Sequence, residues 1–418
     1  MEVVVSAVDI TPECLLPTAC HGPFNRRSER VAVPFEANMI GLREDGETLV
    51  IVTLDWFFAS PGLRANILER CKENLNEASL FVAASHAHTS PATDRTKVGF
   101  SAVDDSYVAT AEDAIADRVD KMLRLGHWRT GRLRFSTVTC DYAIHRRRKI
   151  WQYEGKRIRR TIARCPNHAG PRDSALRILR VEDNAGQLLS VLWGISCHPT
   201  EWPRIGELSS DYPGVVRRAL QDHIGRKLPV LFLQGFCGDL RAPAIGRWRR
   251  TGPWRRRLLL FANTMVNGPF FSGFSPEEHD RWQGGIVECA RKAVDEAANA
   301  PPLSTKLLLH RTSIPLSKLG LSGETADLTF HWFDLSEHLR LTGISAEPCW
   351  EYADMVKHVF PGKTIWPVGY IDTVFGYLPT QAMLCEGGYE VTGFRKAFGI
   401  KGEFVGNLDQ VIKEMMSS

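Results

Sequence analysis

Leu80-Phe81-Val82-Ala83-Ala84-Ser85-His86-Ala87-His88-Thr89-Ser90-Pro91 passes from an apolar segment straight into two histidines one residue apart. The apolar part is short and lacks helical spacing, so it reads as a buried strand. Three other runs end the same way. Leu49–Leu54 stops at Asp55, Leu189–Ser196 at His198, and Pro229–Leu233 passes through Gly235 to Asp239. Ligands of open α/β sheets bind at the carboxyl ends of strands, where the connecting loops diverge. Four such endings predict an α/β fold, mixed β-sheets flanked by helices, with one polar site assembled from distant segments.

Helical stretches alternate with these strands. Helices are expected over Pro61–Leu75, Asp105–Leu125, Pro213–His223, Pro276–Ala298 and Leu408–Met416, with a further strand over Leu307–Pro315. Asp104 and Ser106 suit the start of the second helix as cap and dipole partner. Pro213 suits a first turn, where its missing N–H costs nothing. Ala300-Pro301-Pro302 marks a joint, so residues 1–418 are read as a single domain with a subdivision near 301. The Gly- and Arg-rich passage Gly246–Gly273 is expected to form a long loop or lid.

The chain has 418 residues, 44% hydrophobic and 24% charged, with a formal net charge of +4. That composition is typical of a globular chain and by itself calls for no nucleic acid. No apolar stretch reaches the length of a membrane span, and the amino terminus lacks the pattern of an export signal. A cytoplasmic enzyme without membrane insertion is therefore expected, its ten scattered cysteines reduced. The charge is uneven: Arg146-Arg147-Arg148-Lys149 precedes Arg157, Arg159 and Arg160, and arginines 247–257 interleave with Trp248 and Trp254. Arginine with aromatic residues serves single-stranded nucleic acid, an anionic small substrate or a solvated loop. Neither cluster matches a nucleic-acid motif, so that partner is the least expected.

In an extended segment His86 and His88 share a face, and two imidazoles so spaced fit one zinc coordination sphere. Alone the pattern is weak, because hydrogen-bonded or solvent-facing histidines produce it too. Ser196-Cys197-His198-Pro199-Thr200 adds a third imidazole, its proline favouring extended backbone. In Ser210-Asp211-Tyr212-Pro213 the aspartate is either a helix cap or a site residue. Gly238-Asp239-Leu240-Arg241 places an acid and a base at one strand mouth.

Together with Val5–Pro12 and Val52–Asp55, these motifs stand in an order that resembles the neutral/alkaline ceramidase family, specifically its amino-terminal catalytic domain. The resemblance implies that fold and a zinc ion. It implies ligands at His86 and His198, at Glu347 in Ser345-Ala346-Glu347-Pro348, and at Tyr377 in Tyr377-Leu378-Pro379-Thr380, with Tyr370 as the alternative tyrosine. The carboxy-terminal β-sandwich domain of the ceramidases is not expected here. Arg241 stands where the family's serine is expected, and a guanidinium is no nucleophile. The resemblance therefore implies a zinc-dependent hydrolase that opens an amide or related acyl bond of a small, polar, anionic substrate with metal-activated water. His88, Asp239 and Arg241 are the expected catalytic groups, and Arg146, Asp211 and Arg241 the expected substrate contacts. A metal-dependent lyase, isomerase or acyl transferase is the alternative, because metal and fold do not dictate chemistry.

Overall fold

Strand Glu47–Leu54 is buried on both faces from Leu49 onward. Val50, Val52 and Leu54 enter one core with Leu63, Ile67, Ile115 and Val119, while Leu49 and Ile51 enter another with Phe333, Leu335, Leu341 and Trp366. The alternation follows from the strand's two-residue period, and it sets the layers of the molecule. The computed structural model describes residues 1–20, 27–154, 157–245, 263–323 and 327–418.

An eight-stranded mixed sheet has the spatial order Val230–Phe232, Leu188–Gly194, Ala175–Asp183, Arg129–Thr139, Glu2–Asp9, Glu36–Glu44, Glu47–Leu54, Leu80–Ala84. Its two outermost pairs are parallel and its inner pairs antiparallel. One face carries helices Leu63–Arg70, Asp105–Leu125, Asp211–Ile224 and Pro276–Asn299. The other packs on a four-stranded sheet, Thr305–Ile314, Leu328–Ser336, Leu339–Ile344 and Thr364–Val368, through a shared core that includes Val3, Ile40, Phe81, Phe333 and Val368. Helices Glu351–Val359 and Leu408–Ser417 cover the far side of that second sheet. Each fully buried Leu, Ile or Phe in these layers contributes about 1.5–3 kcal/mol.

The helix starts follow their chemistry. Asp104 accepts from the Tyr107 N–H, and Ser275 with Glu278 forms a reciprocal capping box before Pro276. At the third helix the cap position falls to Ser210, and Asp211 is the first helical residue, its φ of 57° in the left-handed region. The first helix is shorter than its apolar spacing predicted, Leu63–Arg70. The basic segment, for which a solvated loop is one of the readings, is a hairpin, Ile144–Glu154 against Arg157–Asn167, and Arg146 and Arg147 are buried in it. Arginines 247–257, and residues 246–262 of the expected lid, lie outside the described residues. Among the described residues no helix is long and apolar enough to cross a membrane.

The two parallel pairs stand at opposite edges of the large sheet, yet their carboxyl ends meet. The segment after Thr364–Val368 ties them: the Gly369 N–H donates to the Gln234 carbonyl at 2.9 Å, and the Ala84 N–H donates to the Tyr370 carbonyl at 3.0 Å. Gly194 admits no side chain there, since a Cβ would lie 2.3 Å from the Leu233 carbonyl oxygen.

Candidate metal centre

Beyond Ala84 the chain leaves the extended conformation. His86 has a φ of 63°, held by its N–H to the Trp56 carbonyl at 2.9 Å. Such backbone is costly for a residue with a Cβ, and it clusters at functional sites. His86 and His88 therefore come together through a turn rather than a common strand face, with their Nε2 atoms 3.3 Å apart. The His88 N–H donates to the Pro199 carbonyl at 3.2 Å, which joins this loop to the one bearing His198.

His86 Nδ1 lies 3.1 Å from the Phe57 carbonyl oxygen, and His198 Nδ1 lies 2.6 Å from that of Cys237 and 3.1 Å from that of Leu240. A carbonyl only accepts, so both rings carry their proton on Nδ1 and present an Nε2 lone pair. Those lone pairs converge on Glu347 Oε2, at 3.3 Å from His86 and 3.2 Å from His198. Tyr377 Oη lies 3.4 Å from His198 Nε2, and Tyr370 Oη donates to Glu347 Oε2 at 3.4 Å while meeting Cys237 Sγ at 3.2 Å. Burial pushes His198 down to about 4, against the pull of Glu347 and helped by Arg146 and His86, so its ring is neutral near pH 7.

Lone pairs and a carboxylate aimed at one point, with the outer nitrogens fixed on carbonyls, are what a dication of zinc's type requires. His86, His88 and His198 also lie mutually within 4.8 Å. His88 differs from the other two. It is half-buried, among the described residues nothing holds its Nδ1, and burial with His86 and His198 nearby keeps it well below the usual imidazole range. Phe57 stacks on His86 at 4.4 Å and meets His88 edge-on at 4.8 Å, walling that side with hydrocarbon.

Glu347 reaches the cluster because strand Glu347–Pro348 pairs in parallel with Tyr377–Leu378. Gly238 lets that pair approach, since a Cβ would lie 2.6 Å from the Glu347 carbonyl oxygen. Arg241 sits beside His198 in a backbone bridge. Its guanidinium pairs with Glu201 and lies 4.3 Å over the Phe271 ring. Arg146 donates from Nε to Glu390 at 2.9 Å and covers the Tyr377 ring at 5.4 Å.

Two expected site residues are placed elsewhere. The Asp239 carboxylate takes His145 Nε2 at 3.1 Å and the Trp350 N–H at 2.9 Å, in a second buried group with Glu351. Asp211 is fully buried at its helix start, accepting from the Tyr212 N–H at 2.6 Å and facing His279. Asp55 likewise serves packing, bound by Arg217 at 2.5 Å and the Glu36 N–H at 2.8 Å. Residues that sequence reading missed include Glu390, His145 and Glu351. The one available signal was the paired Gly387-Gly388 before Glu390, both at positive φ.

Fold and cluster together define an α/β protein of mixed sheets in the neutral ceramidase fold. The neutral ceramidase of Pseudomonas aeruginosa aligns with a TM-score of 0.73 and 14% identity, over 100% of this chain and 74% of that one. A ceramidase complexed with C2 aligns with a TM-score of 0.70 and 14% identity, over the same shares of the two chains. No protein-family model matches the chain, and no curated protein matches its sequence.

Proposed function

We propose that this chain is a zinc-dependent hydrolase that cleaves an amide or related acyl C–N bond of a small polar substrate, with the ion held by His86, His198, Glu347 and Tyr377. The observation that carries this reading is the convergence of two Nδ1-protonated imidazoles on Glu347 in a fully buried cluster. Tyr377 is preferred to Tyr370 because its hydroxyl meets a histidine Nε2, whereas that of Tyr370 is engaged by Cys237. The fold shared with chains named ceramidases supports acyl–nitrogen cleavage as the reaction type.

Bound zinc would polarise a carbonyl and lower the pKa of water. The chain's own groups do the rest. His88, neutral and with its Nδ1 unpinned, moves protons between water and the leaving nitrogen. Phe57 and Phe58, both buried beside His86, exclude bulk water and strengthen every charge–dipole contact inside. Arg146, whose guanidinium lies 5.4 Å over the Tyr377 ring, supplies donors for negative charge developing on oxygen. Asp239 keeps no proton-relay role in this scheme. Its backbone carbonyl accepts the Arg146 N–H at 2.8 Å, so it positions that arginine.

Elemental analysis of purified protein should find about one zinc per chain. Its loss in both His86→Ala and His198→Ala supports the ligand set, and unchanged zinc in either contradicts it. Turnover in ¹⁸O-labelled water separates hydrolysis, which puts label in the product, from isomerase chemistry, which does not.

A further inference from the structure

Around this cluster the fold gathers arginines whose hydrogen-bonding capacity their carboxylate partners only partly use. Arg146 is 4% exposed, yet one of its terminal nitrogens, Nη2, has no hydrogen-bond partner among the described residues. Its Nε is satisfied by Glu390, but that carboxylate is shared, because Arg147 takes the second oxygen at 2.7 Å. Arg241 pairs with Glu201 and leaves its own buried Nε without a partner. Arg164, exposed on the opposing strand of the hairpin, lies 4.4 Å over the Tyr389 ring, and the Arg146 guanidinium lies 5.9 Å from that ring. Arg241 pairs with Ile144, two positions from Arg146 on the neighbouring strand, and burial with the charges of Arg146 and Arg164 nearby draws it down to about 10.

A buried guanidinium nitrogen left without an acceptor is expensive, on the order of 1–3 kcal/mol or more for a charged group. Gathering three like charges in a half-buried place adds to that cost. An oxyanion bound by these groups would lower both costs, because planar guanidinium forks match carboxylate and phosphate oxygens. Arg241 bridges His198 by main chain, and the Arg146 guanidinium lies 5.4 Å over the Tyr377 ring, whose hydroxyl is 3.4 Å from His198 Nε2, so the group adjoins the proposed reaction centre.

We propose that Arg146, Arg241 and Arg164 form a receptor for an oxyanion of the substrate, a carboxylate or a phosphate carried near the bond to be cleaved. The substrate class is thus an anionic N-acyl compound rather than a neutral lipid amide. The chemistry assigned to that bond rests on the hydrolase reading above. The anion site itself does not require the metal.

The test is a thermal-shift titration of the whole protein with inorganic phosphate and, separately, with acetate, at constant ionic strength set by chloride. A saturable rise in midpoint is expected with at least one anion, and which anion produces it identifies the group. The apparent affinity should fall about tenfold or more in Arg241→Gln and in Arg146→Lys, and less in the exposed Arg164→Gln. It should persist in His86→Ala, where the metal cluster is broken. No saturable shift with either anion overturns the inference, as does a shift unchanged in Arg241→Gln. A shift lost in His86→Ala but kept in Arg241→Gln also overturns it, because the anion then sits on the metal. A persisting, arginine-dependent shift in protein that holds no zinc supports the anion site and removes the hydrolase reading alone. Arg241→Gln keeps the test valid if the more buried Arg146 variant fails to fold.

Discussion

The backbone N–H of His88 donates to the carbonyl of Pro199 at 3.2 Å, so the loops that carry His86 and His198 are joined by main chain. With the Nδ1 atoms of His86 and His198 also fixed on carbonyls, the positions of these two rings are set by backbone. Ligands fixed in this way need little rearrangement to receive an ion.

Metal binding should therefore stabilise the fold by mass action. Stripping zinc with a chelator should lower the unfolding midpoint, and restoring it at about a thousand times its Kd should return about 4 kcal/mol. Scanning calorimetry of stripped and reloaded protein measures this. An unchanged midpoint would contradict a preformed site.

His88 should matter to turnover and not to loading. His88→Ala is expected to keep its zinc and lose about 100- to 10,000-fold in kcat, the span of a removed general acid–base group. Parallel metal analysis and kinetics decide it, and zinc loss in this variant would move His88 into the ligand set.

Arg217 is the structural counterpart of the site arginines. It is buried and binds Asp55 at 2.5 Å, Glu36 at 3.1 Å and the Pro34 carbonyl at 3.1 Å. Arg217→Met leaves Asp55 buried and unpaired, at an expected cost of about 3–5 kcal/mol. Arg217→Met with Asp55→Asn should recover part of that loss. Urea unfolding of the two variants checks the coupling.

Acid sensitivity should come partly from His331, a buried histidine outside the metal cluster. Burial, with Arg64 and Arg311 nearby, holds it down to about 3 while its Nε2 donates to the Ala78 carbonyl at 2.9 Å. The folded pKa lies below the unfolded value of about 6.5, so its contribution is intact above that pH. As pH falls from there toward 3, the unfolded chain takes the proton first and stability drops, by up to about 1.4 kcal/mol per pH unit. In His331→Gln that component should vanish. Urea midpoints between about pH 7 and 4 that decline equally in both proteins would exclude it.

The sheet strands and the three histidines were legible because each ends an apolar run, and burial on both faces writes itself as continuous hydrophobicity. Helix Asp105–Leu125 was legible from its spacing and its acidic start. The same rule picked out Asp55 and Asp239, which the fold engages in buried ion pairs. A carboxylate at a strand end is equally useful for closing a buried ion pair, and only the partner, Arg217 or His145, tells the two uses apart. That partner lies far off in sequence. The burial of the arginine hairpin was not legible for a related reason: its partner Glu390 comes from the other end of the chain to pair with both Arg146 and Arg147.

The central claim is that His86, His198, Glu347 and Tyr377 hold one zinc ion, and anomalous diffraction at the zinc edge tests it most directly. A single strong peak within coordinating distance of both Nε2 atoms, Glu347 Oε2 and Tyr377 Oη is the predicted result. No peak there, or a peak at His145, Asp239 and Glu351 instead, would contradict it.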